Sequence, residues 1–239
     1  MDMNVAVIFA GGTGQRMNTK VTPKQFLEVH GKPIIIYTLE QFEEHDEIDG
    51  IVIVCLVDWI DHLKKLLSKF GIRKVKEIVP GGETGQMSIF AGISKAHELF
   101  SDDDFVLIHD GVRPVIDRDT ISQNIQCAKE NGCAVTVSPA IETIALKEGS
   151  TIKSIMNRKD CWIAKAPQTF RIGSIYQAHL QAQADSRYDF VDSASLMLHY
   201  GTKIYPVEGR PDNIKITTPS DYYIFKAMLD ASENSQIWG

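Results

Sequence analysis

Three glycines, Gly11, Gly12 and Gly14, follow the apolar run Val5-Ala6-Val7-Ile8-Phe9, and Arg16 and Lys24 stand just behind them. Glycines at that density let the backbone approach a ligand closely and aim successive N–H groups at one anion, as phosphate binding requires. The two cations add fixed positive charge beside the turn. A bare glycine turn after a strand is an ordinary βα connection with solvated cations. The added Arg16 and Lys24 shift the reading to a nucleoside triphosphate. A P-loop needs Lys-Ser/Thr directly after its last glycine, whereas Gln15-Arg16 follows Gly14. The dinucleotide fingerprint finds Gly12 and Gly14 but meets Met17 at its third glycine, and Asp58 lies too far down the chain to serve as the ribose acid. An NAD-dependent oxidoreductase, the rival reading, therefore lacks two of its marks. A regulator that binds nucleotide without catalysis would have no use for Arg16, Lys24 and Lys215 together.

The elements that must position these groups follow a βα rhythm. Pro33 sits where a helix can start, and an apolar stripe runs from Ile34 through Phe42. The continuous run Ile51-Val52-Ile53-Val54-Cys55-Leu56 predicts a parallel strand buried on both faces. Ile60, Leu63, Leu66, Leu67 and Phe70 give an amphipathic helix closed by Gly71. A strand over 75–79 ends in a second glycine turn, Pro80-Gly81-Gly82-Glu83, which leads through Ser88 into another helix. In a doubly wound sheet, ligands lie outside the carboxyl ends of the strands, so the two glycine turns can face one crevice. The strand 105–109 releases Asp110-Gly111-Val112-Arg113-Pro114 at that same end. A carboxylate there can cap a turn; facing a triphosphate, it is placed to hold magnesium.

Beyond a helix ending at Gly132 and a strand over 134–139, the rhythm breaks between 140 and 168. Ile141, Thr143, Ala145 and then Ile152 and Ile155, on either side of Lys147-Glu148-Gly149-Ser150, read as a hairpin leaving the sheet. An isolated two-stranded ribbon is marginal in water, so this arm is expected to pack on a second subunit. Helices over 172–184 and from 193, a strand over 204–207, and a last helix capped by Thr218-Pro219-Ser220-Asp221 complete the chain.

The 239 residues, 44% hydrophobic, suffice for one large domain, 1–239, with 140–168 as its β-arm. The net charge of −6 speaks against nucleic acid, which calls for a basic face. Small anionic substrates would need a local basic cluster, for which Arg16, Lys24, Arg113, Arg158 and Lys215 are candidates. No apolar run approaches the roughly 20 residues of a membrane span, and the first residues lack the basic start of a signal peptide, so a cytoplasmic protein is expected. Cys55, Cys127, Cys133 and Cys161 show no paired spacing and are read as buried thiols.

Six motifs now stand in order: A-G-G-x-G-x-R-M, P-K-Q, G-G-E with Ser88, H-D-x-x-R-P, A-P-Q over 166–168, and E-G-R-x-D-N-I-K-I-T. Together they span nearly the whole chain and resemble the cytidylyltransferase family that includes 2-C-methyl-D-erythritol 4-phosphate cytidylyltransferase and ribitol-5-phosphate cytidylyltransferase. The resemblance implies an α/β, Rossmann-like fold: a mostly parallel twisted sheet flanked by helices, with a protruding β-arm that makes a homodimer. It implies transfer of CMP from CTP to an alditol phosphate with Mg2+, in isoprenoid or in teichoic acid and capsule synthesis. By the same resemblance Phe9, Ala10, Gly11, Gly12 and Thr13 hold CTP, while Gly82, Glu83 and Ser88 read cytosine and ribose. Arg16, Lys24, Arg158 and Lys215 are the implied catalytic cations. Arg113, Thr143, Arg158 and Lys215 bind the alditol phosphate, with Arg158 supplied by the partner subunit, and Asp110 and Asp212 hold the metal.

That reaction suits the residue types. A phosphate monoester oxygen attacks the α-phosphorus of CTP and pyrophosphate leaves, so negative charge crowds one centre that cations and Mg2+ must offset. The nucleophile is already ionised near neutral pH and needs no general base; His109, before Asp110, is read as positioning the loop. Two departures bear on the substrate: Gly85 stands where the family commonly has arginine, and Ala166 where it often has threonine. The opening Phe9-Ala10-Gly11-Gly12-Thr13 resembles the ribitol branch, whereas Glu208-Gly209-Arg210 and Asp212 resemble the methylerythritol branch, which leaves the alditol open.

Overall fold

The strand β1 (Asn4–Ala10) lies at the heart of the molecule because its side chains alternate between two apolar layers. Val5 and Val7 join one cluster, and Ala6, Ile8 and Ala10 join the other on the opposite face. The computed structural model describes residues 2–12 and 22–238. After two short strands, β2 (Glu28–Val29) and β3 (Lys32–Pro33), the helix α1 (Ile34–Glu43) begins directly behind Pro33, as the sequence predicts. The buried strand β4 (Gly50–Cys55) and the helix α2 (Ile60–Phe70) follow, and α2 closes on Gly71 at φ 70°. This left-handed residue favours glycine.

Next come β5 (Val75–Pro80), α3 (Gly85–Leu99), β6 (Phe105–Asp110), α4 (Arg118–Asn131) and β7 (Cys133–Pro139). The helix α3 lies so close to the sheet that a Cβ on Gly92 would stand 2.6 Å from a Val7 methyl and 2.7 Å from a Val54 methyl. The arm hairpin is β8 (Ala145–Glu148) with β9 (Thr151–Ile155), paired antiparallel. Then follow β10 (Trp162–Arg171), α5 (Ile172–Ala184), α6 (Ser193–His199), β11 (Pro206–Glu208) and α7 (Pro219–Trp238).

Seven strands form one sheet in the order β11-β7-β10-β6-β1-β4-β5. The pairs β1–β4, β1–β6, β4–β5 and β7–β11 are parallel. Only β10 runs against its neighbours, β6 and β7. The α/β, mostly parallel sheet is as expected. The strand β10 was not: the sequence reading ran the arm to Gln168, but pairing with β7 begins at Trp162, and Ala166 and Gln168 are buried. The register between β10 and β7 breaks between Ala164 and Gln168, and that break hides the strand's alternation. The last strand also begins at Pro206 rather than 204. The four thiols are free; Cys55 and Cys133 are buried, whereas Cys127 and Cys161 are half-buried. Among the described residues no helix is long and apolar enough to cross a membrane.

Two histidines are sealed into this core. His109, at the end of β6, lies 5.1 Å from the Phe42 ring, and His179, on α5, stacks 5.3 Å from Phe90. Burial lowers each pKa from 6.5 to about 4, so both are neutral in the folded state at pH 7. The unfolded chain takes up protons below pH 6.5 that the folded chain refuses until about pH 4, so this stability is full above 6.5 and is lost as pH falls. Each histidine contributes a slope of about 1.4 kcal/mol per pH unit within that window. His179→Phe should therefore flatten the loss of unfolding free energy between pH 6.5 and 5 by about that amount. Denaturant unfolding at the two pH values measures it, and an unchanged slope would refute the assignment.

Candidate active site

Two cavities open beside each other at the carboxyl ends of the parallel strands. The first, of about 570 Å³, is lined by Phe9 and Ala10 at the end of β1 with Gly11 and Gly12 beyond it, Leu56 after β4, Gly82 to Gly85 after β5, Asp110 at the end of β6 and Val112 beyond it. Lys24, Gln25, Ser88 and Lys215 complete it. The two glycine turns do face one crevice: a Cβ on Gly11 would lie 3.5 Å from the Ser88 Oγ and 3.8 Å from the Gly81 Cα. Gly82 admits no side chain, since its Cβ would stand 2.6 Å from the Met87 Cβ and 3.1 Å from the Met87 carbonyl carbon. The Ser88 hydroxyl is engaged by that turn, accepting from the Gly82 N–H at 3.1 Å and donating to the Gly82 carbonyl at 3.3 Å.

The Pro-Lys-Gln run has a mechanical role. Gln25 is buried and its Nε2 donates to the Ala10 carbonyl at 2.5 Å, tying the end of β1 to the segment that carries Lys24. The Lys24 Cε accordingly comes within 4.0 Å of the Cβ position of Gly12.

The second cavity, of about 510 Å³, shares Phe9, Thr84, Gly85, Asp110 and Lys215 with the first and adds Arg113, Lys165, Gln168 and the stretch from Tyr188 to Ser193. A charge cluster centred on the buried Asp110 forms the common wall. The Asp110 Oδ1 lies 2.5 Å from the Lys215 Nζ and its Oδ2 2.8 Å from the Arg113 Nε. Burial alone would raise the Asp110 pKa; the Lys215 and Arg113 charges outweigh it and hold the carboxyl below its ordinary value. The Lys215 ammonium also sits 5.7 Å from the centre of the Phe9 ring.

Backbone bonds fix this cluster. The Ile216 N–H donates to the Val112 carbonyl, the Arg113 Nη1 to the Asn213 carbonyl at 2.8 Å, and the Asn213 Nδ2 to the Ala166 carbonyl at 3.0 Å. His109 lies with its Nε2 3.2 Å from the Arg113 carbonyl, which agrees with its reading as a loop-positioning residue. Lys165 reaches the Pro211 carbonyl at 2.6 Å, and burial, with Arg113 nearby, lowers its pKa.

Ten of the expected site residues thus meet in the first cavity: Phe9, Ala10, Gly11, Gly12, Lys24, Gly82, Glu83, Ser88, Asp110 and Lys215. Arg113 joins Asp110 and Lys215 in the second. Thr13 and Arg16 lie outside the described residues. Thr143 and Arg158 line neither cavity; both are exposed on the arm, where the Arg158 Nη1 donates to the Ile141 carbonyl at 2.9 Å. Asp212 also lines neither, and its carboxylate is taken by Arg210, with the Nε donating to Oδ1 at 2.8 Å. That hydrogen bond holds the Asp212 pKa below its ordinary value. Sequence reasoning missed Lys165 and the stretch from Tyr188 to Ser193, which carry no glycine turn or motif to announce them.

Among the described residues no group of three His, Cys, Asp or Glu converges as a metal cage. Asp110 is a single buried carboxylate at the junction of the two cavities. One carboxylate suits Mg2+, which takes most of its ligands from substrate phosphates and water.

Residues 4–231 match the family profile described as IspD, 2-C-methyl-D-erythritol 4-phosphate cytidylyltransferase. Proteins named ribitol-5-phosphate cytidylyltransferase from Streptococcus agalactiae serotype V and Vibrio parahaemolyticus serotype O3:K6 are each 51% identical over 99% of this chain and 99% and 100% of their own lengths. A 2-C-methyl-D-erythritol 4-phosphate cytidylyltransferase from Bacillus licheniformis is 37% identical over 98% of this chain and 99% of its own. Among solved structures, 4-diphosphocytidyl-2C-methyl-D-erythritol synthase from Anaerococcus prevotii superposes with a TM-score of 0.82 at 27% identity, covering 96% of each chain. The chain belongs to the 2-C-methyl-D-erythritol 4-phosphate cytidylyltransferase family and is a nucleotidyltransferase of the cytidylyl-transferring class.

Proposed function

We propose that this protein transfers CMP from CTP to ribitol 5-phosphate, giving CDP-ribitol and pyrophosphate. The observation that carries the choice of alditol is the gap between 51% identity to proteins named for ribitol 5-phosphate and 37% to one named for methylerythritol phosphate. Ala166 supports it, because it leaves no hydroxyl where the methylerythritol branch often offers a threonine to the substrate phosphate.

On this reading CTP fills the first cavity, with its base against Gly82, Glu83 and Ser88 and its phosphates along Gly11, Gly12 and Lys24. Ribitol 5-phosphate fills the second, beside Arg113 and Lys215. A ribitol phosphate oxygen attacks the α-phosphorus, the bond to the bridging oxygen breaks, and pyrophosphate leaves with the electron pair. Lys215, on the wall between the cavities, offsets charge on both reactants. Asp110 would hold Mg2+ together with the phosphates, where the ion would add charge neutralisation, and Asp212 could contribute only on leaving Arg210. The reaction runs in the cytoplasm, where nucleoside triphosphates are held.

The arm completes the site from a second copy. Ile141 and Ile152 are 73% and 67% exposed, and Leu146, Ile155 and Trp162 are exposed beside them, which is apolar surface that a twofold partner would cover. The arm then carries Thr143 and Arg158 to the partner's second cavity. Pyrophosphate release from CTP, ATP, GTP and UTP, each with ribitol 5-phosphate and 2-C-methyl-D-erythritol 4-phosphate, tests the reading. CTP with ribitol 5-phosphate should give the highest kcat/KM; faster turnover of methylerythritol phosphate, or comparable rates with ATP, would refute it.

A further inference from the structure

The outer wall of the second cavity is a strap over 187–193 that belongs to no regular element until α6 begins. Two buried glutamines hold its ends. Gln168, on β10, accepts from the Ala194 N–H at 2.9 Å and donates to the Asp192 Oδ2 at 3.1 Å. Gln86, in the first turn of α3, is 7% exposed and spends both ends of its amide on the strap backbone. Its Nε2 donates to the Arg187 carbonyl at 2.9 Å, and its Oε1 accepts from the Phe190 N–H at 3.1 Å.

The piece gripped in this way has a shape of its own. Arg187 pairs with Asp189 at 2.8 Å and lies 4.8 Å over the Phe190 ring. Gln86 therefore holds a preformed turn as one body. Between the two anchors Val191 is 88% exposed, and Phe190 packs on the core 5.2 Å from the His199 ring, so the strap's register rests on the glutamines together with that aromatic contact. Gln86 itself lines the second cavity and follows Thr84 and Gly85, which line both, but the two ends of its amide are taken by the strap. The strap's position is thus set from the same helix start that borders the nucleotide.

We propose that Gln86 is a positioning residue that sets the strap 187–190 against the alditol phosphate and so governs the affinity for that substrate rather than for CTP. The inference rests on the cytidylyltransferase reading above. An isosteric apolar side chain removes both bonds and leaves a half-buried carbonyl and N–H without their partner, which loosens the turn.

The test uses the full chain and whichever alditol phosphate the wild type accepts. Gln86→Leu should raise KM for that phosphate about tenfold, with kcat and KM for CTP within about twofold. Hydrogen exchange at amides 188–191 should quicken by about tenfold or more while β1, β4 and β6 keep their protection. Gln86→Met likewise removes both bonds, with an unbranched neutral side chain, and decides the matter by the same criteria if Gln86→Leu does not fold. An unchanged alditol KM, or a rise in both KM values with faster exchange across the whole chain, would overturn the role. Wild-type protein that transfers CMP to no alditol phosphate would overturn this inference and the functional reading together, whereas an active wild type with an indifferent variant overturns the inference alone.

Discussion

Lys215→Met is expected to lower kcat about 10²–10³-fold, the usual loss when one preorganised charge is removed from a centre where charge develops. The reason is its place: the ammonium lies 2.5 Å from Asp110 and borders both cavities. Methionine keeps an unbranched stem but removes the charge, leaving Arg113 as the cation paired with Asp110 among the described residues. The Asp110 pKa should rise in consequence, since burial already pushes it upward. Lys215→Arg should not rescue the rate, because a planar guanidinium cannot take the place of a point charge at that distance. Single-turnover kinetics with circular dichroism as the control for folding settle the question. A variant that keeps kcat within about threefold of wild type would show that Lys215 is a structural counterion to Asp110 and nothing more.

The second large effect is a gain. On the proposed dimer, Lys24→Ala and Arg158→Ala proteins should each turn over poorly, the first for want of a cation beside the glycine turn, the second for want of the guanidinium that the arm would bring to the partner's cavity. On the exposed arm the Arg158 Nη1 donates to the Ile141 carbonyl, and Arg158 lines neither cavity of its own chain. After the two inactive proteins are mixed and exchanged, half of the dimers are mixed, and each mixed dimer holds one site with both residues intact. About a quarter of wild-type activity should return. Confirmed exchange without recovered activity would show that Arg158 works in its own subunit or takes no part.

Most of the first cavity was legible in the residues. Gly11, Gly12, Gly81 and Gly82 follow runs of β-branched residues, and glycine has few other reasons to cluster at strand ends, so their meeting could be anticipated. The loop from Asp110 to Pro114 was readable because a charged stretch leaves a fully apolar strand. The far side was not. The strand β10 begins with exposed residues, contains Lys165 and Pro167, and shifts register inside its pairing with β7, so no period of two survives to be read. The strap 187–193 is held in part by the side chains of Gln86 and Gln168, and nothing local to the strap encodes partners some twenty-five and a hundred positions away. Asp212 was legible as an acid in a motif, but its pairing with Arg210 depends on a turn whose shape the sequence does not announce.

The antiparallel strand in mid-sheet also governs the order in which the molecule can assemble. β7 and β11 reach the rest of the sheet only through β10, and β7 is complete at Pro139, before the arm and before β10 at Trp162. As the chain leaves the ribosome, β1, β4, β5 and β6 can zip together from neighbouring segments, but β7 must wait with two open edges while the arm is made behind it. Pairings such as Phe170 with Val106 then close a long loop, the kind of contact that slows folding. Until that closure, the bare edges of β7 and the apolar arm are the surfaces on which two nascent copies would mispair.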